Sequence, residues 1–73
     1  MTKVANNVKL ALAAAIRAER ARARLSQQDL ADCVGVSRST VSDWENGAES
    51  PRHDHLVLMS GAFKKAVHEW MPG

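Results

Sequence analysis

The stretch 38–46, RSTVSDWEN, gathers most of the side chains in this chain that could do chemistry. If it is helical, at roughly 100° per residue, Val41 and Trp44 point one way. Ser39, Ser42 and Asn46 point the other way, with Arg38 and Asp43 flanking them. Arg38 carries a planar fork of donors, which matches paired acceptors such as O6 and N7 of guanine. Ser39 and Ser42 can donate or accept and are short enough to allow close approach. Asp43 is repelled by phosphates, so it either accepts from cytosine N4 or holds Arg38 in position. The competing reading of this face is an ordinary solvated helix surface.

This chemistry is hydrogen-bonded recognition rather than bond making. The chain has no phosphate loop, no paired acid and base carboxylates and no nucleophile motif, so no catalytic residue is expected. Cys33 has no His and Asp arrangement around it, and its place beside an apolar stripe predicts a half-buried small residue. His53-Asp54-His55 could suggest a metal, yet residues i and i+2 of a helix face different ways and no third ligand is near. Neither a metal nor a cofactor is expected.

Recognition requires elements that hold this face outward. Ser26 and Asp29 have capping-box spacing, followed by inward-facing Leu30, Ala31 and Val34. Ala31 leaves room for a close helix crossing. Gly35 stops this helix, because the left-handed conformation costs glycine little. Val36 then turns inward and Ser37 caps the next helix, which ends at Asn46-Gly47. Two helices of about eight residues joined by a short Gly-containing turn form a helix-turn-helix. In that arrangement the second helix can enter the major groove of DNA.

The rest of the chain reads as scaffold. An Ala-rich helix is predicted from about Asn7 to Ala23, with Val8, Leu12, Ile16 and Ala23 on one stripe and Arg20 at its edge. Pro51 fits the first turn of a fourth helix behind a Ser50 cap. Leu56, Met59, Ser60 and Phe63, with Ala62 alongside, form that helix's inner stripe. A fifth short helix is predicted over roughly Lys65–Met71 and closed by Pro72-Gly73. Its Val67, Trp70 and Met71 serve either a dimer surface or the core. The expected organisation is a flexible segment over 1–6 and a single domain over 7–73.

Composition is consistent with an all-α domain. Among 73 residues, 45% are apolar, with one Phe, two Trp and no Tyr, a balance that suits helices better than sheets. Ten Lys+Arg against eight Asp+Glu give a net charge of +2, too little to indicate nucleic acid by itself. A domain of this size buries only about 60% of its unfolded surface, which makes dimerisation a natural supplement. No stretch is apolar enough to span a bilayer, and the N-terminal MTKVANN lacks the apolar run of a secretory signal. With a lone Cys33, a reducing cytoplasm is the expected compartment.

Arg20, Leu25-Ser26-Gln27, Leu30-Ala31, Val34-Gly35-Val36-Ser37, Ser39-Thr40-Val41-Ser42, Glu45, Gly47, Pro51 and Leu56 together carry a resemblance. In order and spacing they are similar to the lambda-repressor-like family, the Cro and phage-repressor type of helix-turn-helix regulator. The match covers roughly residues 12–63. It implies a compact five-helix bundle that binds double-stranded operator DNA as a two-fold dimer and regulates transcription, as a repressor. The alternative is an antitoxin or other protein-interaction module that kept the fold and has a toxin or other protein as partner. After Phe63 the pattern departs: the family usually has a Gly-containing capped turn, and this chain has Lys64-Lys65-Ala66.

The resemblance implies further residue roles. It makes Gln27, Ser37, Asn46 and Gly47 contacts to the DNA backbone, beside base-reading Arg38, Ser39, Ser42 and Asp43. Gln27 also lies in the first turn of a helix, where free amides favour a phosphate; its alternative is a surface residue chosen for helix propensity. For Asn46 the alternative is a plain helix stop. Arg52 either reaches a phosphate or minor groove or is a solvated arginine. The family commonly pairs the positions of Arg20 and Glu45 between helices one and three, and partly buried charges need partners. Their alternative is two separate surface charges. Arg17 and Arg24 either attract DNA at long range or are solvated.

Overall fold

A computed structural model of the chain describes residues 2–72, with side chains from residue 8 onward. Gly73, expected to help close the last helix, lies outside the described residues. Five helices follow one another: α1 Thr2–Arg22, α2 Gln27–Val34, α3 Arg38–Glu45, α4 His53–Phe63 and α5 Val67–Trp70. Helix α2 packs against α3 and α4, α1 against α3, and α4 against α5. The fold is all-α, with the helix-turn-helix formed by α2 and α3.

Breaker-free, Ala-rich sequence lets α1 run long. It starts at Thr2 rather than near Asn7. Its 21 residues span about 31 Å, close to the 34 Å long dimension of the molecule. The inner stripe therefore begins later than expected. Leu12, Ala13 and Ile16 are buried, whereas Val8 is 61% exposed. Arg24 ends α1 in the left-handed conformation, at φ 59°, and the Leu25 N–H returns to the Arg20 carbonyl at 3.0 Å.

The caps of the helix-turn-helix form as the residue types require. Ser26 Oγ accepts from the Asp29 N–H at 2.9 Å, and the Asp29 carboxylate accepts from the Ser26 N–H at 2.9 Å. Gly35 ends α2 at φ 80°. Ser37 Oγ accepts from the Thr40 N–H at 3.2 Å and starts α3. Fully buried Ala31 allows the crossing, while Val36 is half-buried against the core. Cys33 is exposed rather than half-buried.

Leu12, Ile16, Leu30, Val34, Val41, Trp44, Leu56, Met59, Phe63 and Trp70 join in one core cluster. Burying each of the large ones contributes about 1.5–3 kcal/mol. Two boundaries differ from expectation. Helix α4 starts at His53, not at Pro51, because extended Arg52 is the cap residue and its N–H donates to His55 Nδ1 at 3.3 Å. Helix α5 starts at Val67, not at Lys65. Lys64 takes the left-handed position usually given to glycine, at φ 59°, and the Ala66 N–H donates to the Glu69 carboxylate at 2.7 Å.

The same turn decides how Trp70 is used. Trp70 is buried, meets Phe63 edge-on at 5.1 Å and donates its indole N–H to Ser60 Oγ at 2.7 Å. Of the two uses considered for Val67, Trp70 and Met71, a dimer surface or the core, Trp70 takes the core. Val67 and Met71 are half-buried.

Candidate nucleic-acid interface

The first functional consequence of this scaffold is the orientation of α3. Its inner side buries Val41, Trp44 and Glu45. Trp44 fixes that side further, since its ring lies 5.1 Å from the ring of His55 on α4. The opposite side is left open, with Arg38, Ser39, Asp43 and Asn46 exposed and Ser42 half-buried. The sequence reading of the two faces therefore corresponds to the structure. Small hydroxyls keep the outer face low: Ser37 Oγ lies 3.0 Å from Ser39 Oγ and 2.9 Å from Thr40 Oγ1.

Arg38 is not held by Asp43. Its guanidinium donates instead to Gln27 Oε1 at 3.5 Å, across the junction of α2 and α3. Asp43 is exposed on the outer side of α3. Gln27 is half-buried, and its Nε2 donates to Glu45 Oε1 at 3.1 Å. One amide hydrogen of Gln27 is thus used inside the protein and the other stays free for a partner. Asn46 donates to Ser42 Oγ at 3.4 Å and caps α3. Next to it Gly47 has φ 75°, and a Cβ built there would lie 3.1 Å from Leu10 Cδ2. Arg52 is exposed and 3.9 Å from the Asp54 carboxylate, a loose pair that leaves it mobile enough to find another anion.

Beneath this face lies the ion pair between α1 and α3. Arg20 Nε donates to Glu45 Oε2 at 2.6 Å and Arg20 Nη2 to Oε1 at 3.2 Å. The Arg20 side chain is 22% exposed and that of Glu45 3%. The hydrogen bond to Glu45 raises the pKa of Arg20, against a smaller opposing effect of burial. Arg20 also donates to the Leu25 carbonyl at 2.8 Å, which ties the end of α1 to the start of the helix-turn-helix.

Neighbouring arginines have destinations that sequence reasoning missed. Arg17 donates to the Glu45 carbonyl, at the C-terminal end of α3. Arg22 donates to the Phe63 carbonyl, at the C-terminal end of α4, at 2.8 Å. Cations there also complement the helix macrodipole. Arg22 bonds Glu19 as well, at 2.8 Å, and Lys65 approaches Glu19 at 3.3 Å. The Arg22 bond is the main reason that the Glu19 carboxyl stays below the usual carboxylate range; burial opposes it and Lys65 assists. Asp29 is likewise lowered, chiefly by the backbone N–H of Ser26. The only local signal for these contacts was the density of arginines along one helix, since their partners lie far along the chain.

Three features are thus combined: an outward α3, an α2 whose first turn sits beside it, and an ion pair that locks both to α1. A helix-turn-helix family model matches residues 16–70, from the core of α1 to the end of α5. No curated protein matches the chain. Among the described residues, no helix is long and apolar enough to cross a membrane.

Proposed function

The chain belongs to the lambda-repressor-like, Cro-type helix-turn-helix family and is a DNA-binding regulator; from this premise we propose that it is a repressor reading a pseudo-palindromic operator. The single observation that carries the reading is the division of α3. Its inner residues are fixed by the core and by Arg20, and its outer residues are polar and small except Arg38.

In this reading α3 enters the major groove and Arg38 bonds guanine O6 and N7. Ser39 and Ser42 contact base edges, and Asp43 accepts from cytosine N4. Gln27 and the first-turn amides of α2 meet one phosphate, where the helix dipole favours an anion. Ser37, Asn46, Gly47 and Arg52 flank the groove and contact the DNA backbone. One recognition helix covers only a few base pairs, so two copies act together in the cytoplasm, with half-sites about one helical turn apart.

Selection of bound sites from a random DNA pool, run on the wild type and Arg38→Ala, tests this. The wild type is expected to return a two-fold symmetric motif. Arg38→Ala should lose about 1–3 kcal/mol on the best site and relax preference at one base pair of each half-site. Full preference at every position in the variant would remove α3 as the reading element. A partner protein co-purifying in stoichiometric amount would favour an interaction module instead.

A further inference from the structure

Glu45 is used by more than Arg20. It is 2% exposed, and its Oε1 accepts from both Arg20 Nη2 at 3.2 Å and Gln27 Nε2 at 3.1 Å. Gln27 then accepts from Arg38 Nη1 at 3.5 Å. The four side chains form a line from the core to the outer face, each joined to the next by a donor and an acceptor.

We propose that Glu45 is a positioning residue for Arg38 and acts through Gln27, so that a buried carboxylate helps to set which base the protein reads. The proposal rests on Arg38 being the base reader. The two-ended chemistry of an amide sets the direction of this line. A glutamine side chain has a donating end and an accepting end of nearly equal shape. A carboxylate can only accept. Glu45 therefore draws the NH2 end of Gln27 inward, and the carbonyl oxygen is left pointing at Arg38. Flipping the amide would set its oxygen against the carboxylate and its NH2 against the guanidinium. Both contacts would be unfavourable, and the one against the buried carboxylate lies at the edge of a low-dielectric interior, where it weighs more than in water. Arg38 is thus given an acceptor on its inner side, which holds its fork in one orientation before DNA arrives. Holding a long side chain in its bound rotamer removes an ordering cost from binding.

Gln27→Met tests the link with the least risk to the fold, because it keeps the length of the side chain and leaves the Arg20–Glu45 pair intact. Binding is measured on the best site and on every single-base-pair variant of it, for wild type, Gln27→Met, Arg38→Ala and the double variant. The expected result is that Gln27→Met lowers discrimination about five-fold at the base pair that Arg38→Ala also relaxes. The double variant should lose nothing further there. If Gln27 meets only a phosphate, Gln27→Met weakens all sequences by one factor and leaves every preference unchanged. That outcome overturns the positioning role while Arg38 remains the reader. Unchanged preference in Arg38→Ala would instead overturn the reading on which the proposal rests.

A second arm needs no DNA. In the free protein, Glu45→Gln replaces the carboxylate by a group that can donate or accept, so the Gln27 amide loses its fixed sense. Side-chain NMR resonances of Gln27 and of the Arg38 guanidinium should both move, with cooperative unfolding retained. Movement of Gln27 with a stationary Arg38 signal would break the line at its last step and overturn the proposal.

Discussion

Removing Arg20 and removing Glu45 should not cost the same. Deleting one partner of a buried ion pair costs about 3–5 kcal/mol, because the other charge is stranded. Here the two survivors differ. With 22% exposure, a stranded Arg20 can turn toward water, and it keeps the Leu25 carbonyl as a partner. Glu45→Ala therefore belongs at or just below the lower end, about 2–3 kcal/mol. A stranded Glu45 has 3% exposure and only Gln27 Nε2 left on its carboxylate. Arg20→Ala also removes the bond to Leu25, so it should cost about 4 kcal/mol or more. A domain of this length has roughly 4–11 kcal/mol in total, so urea unfolding is best followed near 15 °C, about the temperature of maximum stability. The double replacement Arg20→Met with Glu45→Leu should recover most of the loss, since apolar residues of similar volume often replace such pairs without cost. Equal, additive effects under about 0.5 kcal/mol would refute the argument and make both residues surface charges.

Backbone conformation and acid sensitivity supply further tests. Lys64 holds a left-handed conformation at φ 59°, which costs a side-chain-bearing residue about 1–2 kcal/mol; after glycine's own entropy cost, Lys64→Gly should raise Tm by a few degrees, and a fall would refute the strain. Gly47→Ala should destabilise more than Gly35→Ala, because both have positive φ but only Gly47 would meet Leu10, at 3.1 Å. Leu10→Ala should then erase the difference between them. The carboxyls of Glu19 and Asp29 have lowered folded pKa values, so their stabilisation is present above the unfolded values and lost as pH falls through the folded ones. Unfolding free energy should therefore drop as pH is lowered below about 4, and Glu19→Gln should flatten part of that drop.

Local rules made α2 and α3 legible. Ser26, Asp29, Gly35 and Ser37 act within a few residues of themselves, so type and spacing suffice to place them. Val41 and Trp44 were readable from helical period alone. Glu45 opposite Arg20 needed the family resemblance, because no local pattern joins two charges that far apart in the chain. Other features depended on geometry that spacing does not encode. Val8 follows the inner stripe in sequence, yet burial starts only at Leu12. Trp70 fits a dimer surface or the core equally by spacing, and the buried acceptor that Ser60 offers its indole decides for the core. Pro51 suits a first helical turn, but His55 provides the acceptor that starts α4 later. The partners of Arg17 and Arg22 are backbone carbonyls at distant helix ends, which carry no side-chain signature.

The grip of α1 on the helix ends bears on how far this motif can be transplanted. Residues 26–47 look like a self-contained cassette, but Arg17 and Arg20 hold the C-terminal end of α3 from outside it. Grafted alone onto another scaffold, the segment would lose those bonds and leave the Glu45 carboxylate without its guanidinium. If α3 reads DNA as proposed, re-targeting is better done in place, at positions 38, 39 and 43, whose side chains are exposed. The scaffold can thus be kept whole while its vocabulary is changed.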